Sequence, residues 1–272
     1  METIRLDELT ARQFNTDLAT AAALIMEGRV WIGAVPADKA GTAVPVDTTL
    51  TLREKPRKFA SRSGYKLEKA LSAFSVDPAG ATVCDIGASN GGFTDCLLQN
   101  GAAHVFSVDV AYGILDWKLR SDPRVTVLER TNARRLTPAQ LNDTPCDLVT
   151  VDVSFISLTK IFPAIHTLLK PEGQLITLIK PQFEAQPRQL GKNGILKDPA
   201  ADLPPLLQSI FAAAAGQELY LTALTVSPIH GTNGNVEYLA HYRHAAPADG
   251  CPATPEFYAA CIEQALTEQP DV

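Results

Sequence analysis

Apolar residues fall along the chain in short blocks, and the spacing within a block changes from one to the next. In residues 82–94, Thr-Val-Cys-Asp-Ile-Gly-Ala-Ser-Asn-Gly-Gly-Phe-Thr, an apolar run ends in Asp85 and breaks into small residues. It resumes with helical spacing from Phe93 to Leu98. That pattern predicts strand, tight loop and helix. Upstream, Tyr65, Leu67, Leu71 and Phe74 mark a helix leading into this first strand. Downstream, the runs at 105–110, 125–128, 148–153 and 175–179 read as strands, with helical stretches at 161–169 and 204–215 and a short segment at 117–119. Strands covered on both faces read as unbroken apolar runs, so the alternation points to a doubly wound, mostly parallel sheet. The last two runs, 219–226 and 236–242, are joined too closely for a helical crossover and are expected to pair antiparallel.

Residues 4–53 have a different texture. Leu6, Leu9 and Phe14 suggest one short helix, and Leu18, Ala22, Leu24 and Ile25 a second that Gly28 closes; short strands follow at 29–32 and 49–52. The expected organisation is a small α+β domain at 1–53, a linker at 54–63, the sheet domain at 64–245, and a tail at 246–272 with a short helix near 255–266.

Composition narrows the class. With 46% hydrophobic content, 272 residues can bury a substantial core. No apolar stretch reaches the roughly 20 residues of a membrane span, and the acidic N-terminus does not suit a signal peptide, so a cytoplasmic protein is expected. Cys84, Cys96, Cys146, Cys251 and Cys261 form no CxxC and lie mostly in apolar runs, which signals neither a disulfide framework nor a zinc site. His104, His166, His241 and His244 show no ligand spacing either. Net charge is −6, yet Lys55, Arg57, Lys58, Arg62, Lys66 and Lys69 form one basic tract. Lys55, Arg57, Lys58 and Arg62 are its candidates for contacting nucleic-acid phosphate.

The loop after the first strand has the makings of a nucleotide-binding corner. Unpaired amides at a helix start and the glycines Gly87, Gly91 and Gly92 let a ligand approach the main chain. Asp85 and Asp109, each closing an apolar run, can accept hydrogen bonds from an amine or from ribose hydroxyls. Two strand-end acids with a small-residue loop between them suit a ribose-bearing cofactor without phosphates. Asp152 closes the fourth strand and Lys180 the fifth, where ligands of open α/β sheets bind; Glu237 lies just inside the last strand and Lys66 on the helix before the first. Of two lysines set against carboxylates, one could be oriented and partly deprotonated to take a hydroxyl's proton while the other steadies the developing charge, the need of a ribose 2′-oxygen attacking a methyl group.

These strings together resemble the TlyA family: Asp85-Ile-Gly-Ala-Ser-Asn-Gly-Gly-Phe-Thr-Asp95, Val108-Asp109-Val110, Asp152-Val-Ser-Phe-Ile-Ser157, Leu178-Ile-Lys-Pro-Gln-Phe-Glu184 and Gly234-Asn-Val-Glu-Tyr238. The resemblance implies S-adenosyl-L-methionine-dependent 2′-O-ribose methylation of ribosomal RNA, free or in a subunit. It implies a Rossmann-like class I methyltransferase fold, with a seven-stranded sheet whose last strand is antiparallel. It also implies a Lys-Asp-Lys-Glu tetrad of Lys66, Asp152, Lys180 and Glu237. Cofactor contacts would come from Asp85, Gly87, Ser89, Gly91, Gly92, Phe93, Asp109 and Asn132. The first fifty residues resemble the RNA-binding module of a small-subunit ribosomal protein, with Thr16-Asp17 where that module carries Ser-Arg.

Other readings compete. Gly87-Ala-Ser-Asn-Gly91 matches a nucleophile elbow, and Ser89, Asp152 and His230 follow hydrolase order, but this elbow follows the first strand and leaves Asp109 and Lys180 unused. A nicotinamide-binding domain would want glycine at Ser89. A pore, which the family's hemolysin label suggests, would need a membrane-compatible segment. A binding protein that has lost activity would have little reason to keep four charges.

Overall fold

The computed structural model describes residues 2–37, 39–53, 58–192, 194–231, 234–244, 254–268 and 270, and the chain divides into compact units at residues 1–58 and 59–272. The first unit contains β1 (Thr3–Arg5), α1 (Leu6–Phe14), α2 (Leu18–Met26), β2 (Val30–Ile32), β3 (Val35–Pro36), β4 (Ala43–Pro45) and β5 (Leu50–Leu52). Strand β1 pairs with β4, and β2 is flanked by β3 and β5. Leu6, Leu9, Ile25, Val30, Val44 and Leu50 form its core. Strands β1, β3 and β4 have only two or three residues each, too few to leave a period in the sequence. Asp17 has a local role: its carboxylate accepts from the Thr20 amide at 2.8 Å and caps α2. Gly28, at φ +68°, takes the left-handed turn that ends the helix.

The second unit runs α3 (Ser63–Ala73), β6 (Thr82–Ile86), α4 (Gly92–Gln99), β7 (His104–Val108), α5 (Trp117–Arg120), β8 (Val125–Leu128), β9 (Cys146–Val151), α6 (Phe162–Leu168), β10 (Leu169–Ile179), α7 (Pro181–Glu184), α8 (Pro199–Ala215), β11 (Leu219–Val226), β12 (Tyr238–His244) and α9 (Pro255–Thr267). Its sheet has seven strands in the order β11-β12-β10-β9-β6-β7-β8. Strand β12 runs antiparallel to both of its neighbours, β10 and β11, as the short β11–β12 connection requires, and the other pairs are parallel.

Side-chain alternation divides the core between the two faces. Cys84, Ile86, Val149 and Leu175 face Phe162, Leu207, Phe211 and Ile262 of α6, α8 and α9. Val83, Val105, Leu148 and Ile176 face Leu67, Leu71, Phe93 and Leu97 of α3 and α4. Two elements extend beyond their apolar signals. Strand β10 starts at Leu169 because an irregular register carries the polar Lys-Pro-Glu-Gly of 170–173 into the strand. Helix α8 starts at Pro199, capped by Asp198, so Pro204 lies inside the helix instead of at its head. Cys84, Cys96 and Cys146 are buried and outside any disulfide. Among the described residues no helix is long and apolar enough to cross a membrane.

Candidate active site at the carboxyl edge of the sheet

Strand order reverses between β6 and β9: from β6 the chain builds outward through β7 and β8, then returns to place β9 on the other side. Loops diverge at such a point and leave a crevice. The turn after β6 depends on glycine. Gly87 has φ +88°, and a Cβ there would lie 2.4 Å from the Asp152 carbonyl oxygen. The Asp152 amide in turn donates to the Ile86 carbonyl at 2.9 Å. The loop after β6 and the acid after β9 are thus pressed together.

The crevice opens into a hollow of about 350 Å³ whose walls include Gly87, Ser89, Asp109, Asn132, Asp152 and Phe155. Ser89 takes φ +51°, and its amide donates to Asp109 Oδ2 at 2.8 Å. The Ala111 amide donates to Asp109 Oδ1 at 2.8 Å, so both oxygens are oriented by backbone. Asn132 Oδ1 accepts from the Arg134 amide at 3.0 Å, capping a short 3₁₀ turn. Val110, Ile114 and Ile156 add apolar wall.

Asp85, Gly91, Gly92 and Phe93 are not among the lining residues. Asp85 points into the core, accepting from Thr94 Oγ1 at 2.7 Å and Thr150 Oγ1 at 3.0 Å, and burial raises its carboxyl to about 7. The glycines make room for packing: a Cβ on Gly91 would lie 2.1 Å from a Leu119 methyl, and one on Gly92 2.0 Å from Ser63 Oγ. Phe93 is a core residue of α4.

Register brings the candidate tetrad to the same edge. Ile179 of β10 pairs with Tyr238 of β12, so one step further Lys180 stands opposite Glu237. Val151 of β9 pairs with Thr177, which sets Asp152 on the adjoining strand. Lys180 Nζ lies 2.6 Å from Asp152 Oδ1 and 3.0 Å from Ser154 Oγ. Helix α3 carries Lys66 to Glu237, Nζ to Oε2 2.5 Å, with side chains only 10% and 3% exposed. The four residues therefore form two acid–lysine pairs, and of the four only Asp152 lines the hollow.

The hydrolase arrangement does not form. Asp152 is paired with Lys180, Ser89 Oγ lies 3.5 Å from Asn90 Oδ1, and His230 is exposed. Lys58 and Arg62 of the basic tract are also exposed, while Lys55 and Arg57 lie outside the described residues. Sequence reasoning gave no role to Ser154 or Phe155. Phe155 holds a left-handed φ of +63° at 89% exposure on the rim, its ring 4.9 Å from that of Phe183. An aromatic three residues beyond a strand-closing acid is the signal that could have found it.

Residues 59–244 match the FtsJ-like methyltransferase family model. The chain belongs to that family. As a member it is similar, at 44% identity over 87% of its length and 88% of the relative's, to TlyA of Mycobacterium tuberculosis, a 16S/23S rRNA (cytidine-2'-O)-methyltransferase. Hemolysin A of Brachyspira hyodysenteriae is 38% identical over 88% of this chain and 99% of its own. A solved structure from Streptococcus thermophilus, also bearing a hemolysin name, superposes with a TM-score of 0.69 at 36% identity, covering 98% of this family member and 97% of that chain. These likenesses bear out the TlyA resemblance and the class I fold read from the sequence.

Proposed function

We propose that this family member transfers a methyl group from S-adenosyl-L-methionine to a ribose 2′-hydroxyl of ribosomal RNA in the cytoplasm. The observation that carries the reading is the pair of acid–lysine contacts at one sheet edge, one of which reaches through Asp152 to the hollow that contains the backbone-oriented Asp109. The relatives named for rRNA methylation support it along most of their length.

The hollow suits the cofactor's nucleoside. Asp109 stands where it can accept from two ribose hydroxyls, Gly87 and Ser89 offer close backbone approach, and Val110, Ile114 and Ile156 offer apolar surface for a base beside Asn132. Bound there, the cofactor supplies an electrophilic methyl on a sulfonium. The chain's own groups prepare the nucleophile. Asp152 and Ser154 hold Lys180 Nζ in place, where it would take the hydroxyl proton while the carbon–oxygen bond forms and the methyl's bond to sulfur breaks. Glu237 fixes Lys66, whose ammonium faces the negative charge that builds on the oxygen. Phe155 offers an exposed ring on which the base of the target nucleotide can stack.

Lys58 and Arg62, with Lys55 and Arg57 beside them in sequence, would meet RNA phosphates. The small N-terminal unit would serve as an RNA-docking module. The test is transfer of labelled methyl from S-adenosyl-L-methionine to ribosomal RNA and to isolated subunits, followed by digestion to nucleosides. Label recovered as 2′-O-methylribose supports the proposal. Label on a base, or none with either substrate, rejects it.

A further inference from the structure

Away from the catalytic edge, three side chains from distant parts of the chain converge. His166 lies on α6, Glu218 in the turn between α8 and β11 at φ +56°, and His244 ends β12. One donor atom from each lies within 4.8 Å of the others. We infer that His166, Glu218 and His244 bind one divalent zinc ion.

The hydrogen bond that orients the His244 imidazole supports this choice. His244 Nδ1 lies 2.7 Å from the Lys170 carbonyl oxygen, which can only accept, so Nδ1 carries the proton and Nε2 presents a lone pair. A backbone carbonyl holding the far nitrogen of an imidazole is the support that metal-bound histidines receive. That lone pair accepts from His166 Nδ1 at 3.0 Å, with the two rings at 86°, and zinc would take the place of the proton between the two nitrogens. A tetrahedral zinc ion with nitrogen ligands at about 2.0–2.1 Å sets its donors roughly 3.3 Å apart, so a small ring rotation makes room for it. Glu218 Oε2 is 3.8 Å from His166 Nε2 and 68% exposed, on a side chain free to swing toward the ion. Two imidazoles and one carboxylate suit zinc with water in the fourth position, and the partial exposure of His166, 34%, lets a hydrated ion enter.

The ion would tie α6, the α8–β11 turn and the end of β12 together. It would not act in methyl transfer. Glu237 precedes β12 at the catalytic edge, and the seven residues from there to His244 span roughly 24 Å. Sequence gives no hint of the site, because its ligands share no local spacing.

Zinc chloride titrated calorimetrically into the metal-stripped, untagged full chain tests the inference. One equivalent should bind, and the melting temperature should rise with zinc concentration. His166→Ala and His244→Ala should each weaken binding at least tenfold and abolish the thermal response, whereas Cys251→Ser/Cys261→Ser should bind as wild type does. Melting without zinc verifies that the half-exposed histidine variants are folded. No uptake by the wild type, equal uptake by the histidine variants, or uptake lost only with the cysteines would each overturn the assignment.

Discussion

Lys66 and Glu237 allow the fold-holding and the chemical role of a buried pair to be separated. Their charged atoms are 2.5 Å apart and the side chains 10% and 3% exposed. Glu237→Ala leaves an ammonium group stranded where water reaches it poorly, a cost of roughly 3–5 kcal/mol. In a domain of this size each kcal/mol lowers the melting temperature by roughly 2–4 °C, so the expected fall is about 6–20 °C. Lys66→Met strands the carboxylate instead and should cost a similar amount. The double variant Lys66→Met/Glu237→Leu removes both charges and should regain most of that stability, because apolar replacement of a buried pair is often neutral or better. Methyl transfer should not return with it. A lost positioned charge at the reacting oxygen is worth roughly 100-fold or more. Thermal unfolding and transfer of labelled methyl, measured on the same preparations, read both quantities. Single variants costing less than about 1 kcal/mol would show that the pair is effectively hydrated. A double variant with wild-type transfer would show that the pair is scaffold alone.

Other substitutions probe the neighbouring parts. Gly87→Ala puts a Cβ 2.4 Å from the Asp152 carbonyl oxygen and should push that acid by about 1 Å, a misplacement worth roughly 100-fold in rate. Gly80→Ala, at φ +72° with nothing within 4 Å, should cost only the left-handed backbone penalty of about 1–2 kcal/mol and leave transfer unchanged; equal rates for the two variants would contradict the coupling of loop and acid. Asp85 should make stability depend on pH. Its carboxyl is raised from 3.8 to about 7 in the fold, so its stabilising contribution is complete below 3.8 and is lost as pH climbs through about 7, on the order of 4 kcal/mol in all. The stability of the wild type relative to Asp85→Asn should therefore fall across that window in chemical denaturation, and a flat difference would reject burial as the cause. Phe155→Ala should leave folding within about 0.5 kcal/mol because the ring is 89% exposed, yet lower kcat/KM for RNA by roughly 5-fold or more; unchanged kcat/KM would remove the stacking role.

What the sequence revealed follows from burial. The central strands have helices on both faces, so their apolar runs announced both the strands and the polar residues that end them, Asp109, Asp152 and Lys180. Direction at a strand end was not legible. Asp85 and Asp109 read alike in the sequence, yet Asp85 lies inside β6 and turns inward to Thr94 and Thr150, while Asp109 follows the end of β7 and faces the hollow. Glycine was ambiguous for a related reason: the space it preserves can belong to a ligand or to a packed side chain, and at Gly91 and Gly92 it belongs to Leu119, Ser61 and Ser63. The opposition of Lys180 and Glu237 came from antiparallel register, which a short connection implies but does not number. Asp17 reads as a lost RNA contact until its capping bond to Thr20 is seen.

The most direct test concerns the amine held by Asp152 and Ser154. Wild type and Lys180→Ala are compared for S-adenosyl-L-methionine binding by calorimetry and for single-turnover methyl transfer to ribosomal RNA. If Lys180 takes the proton, the variant binds within a few-fold of wild type and transfers methyl more slowly by roughly 10²–10⁴, the usual worth of a positioned general base. Equal transfer rates for the two proteins would contradict it.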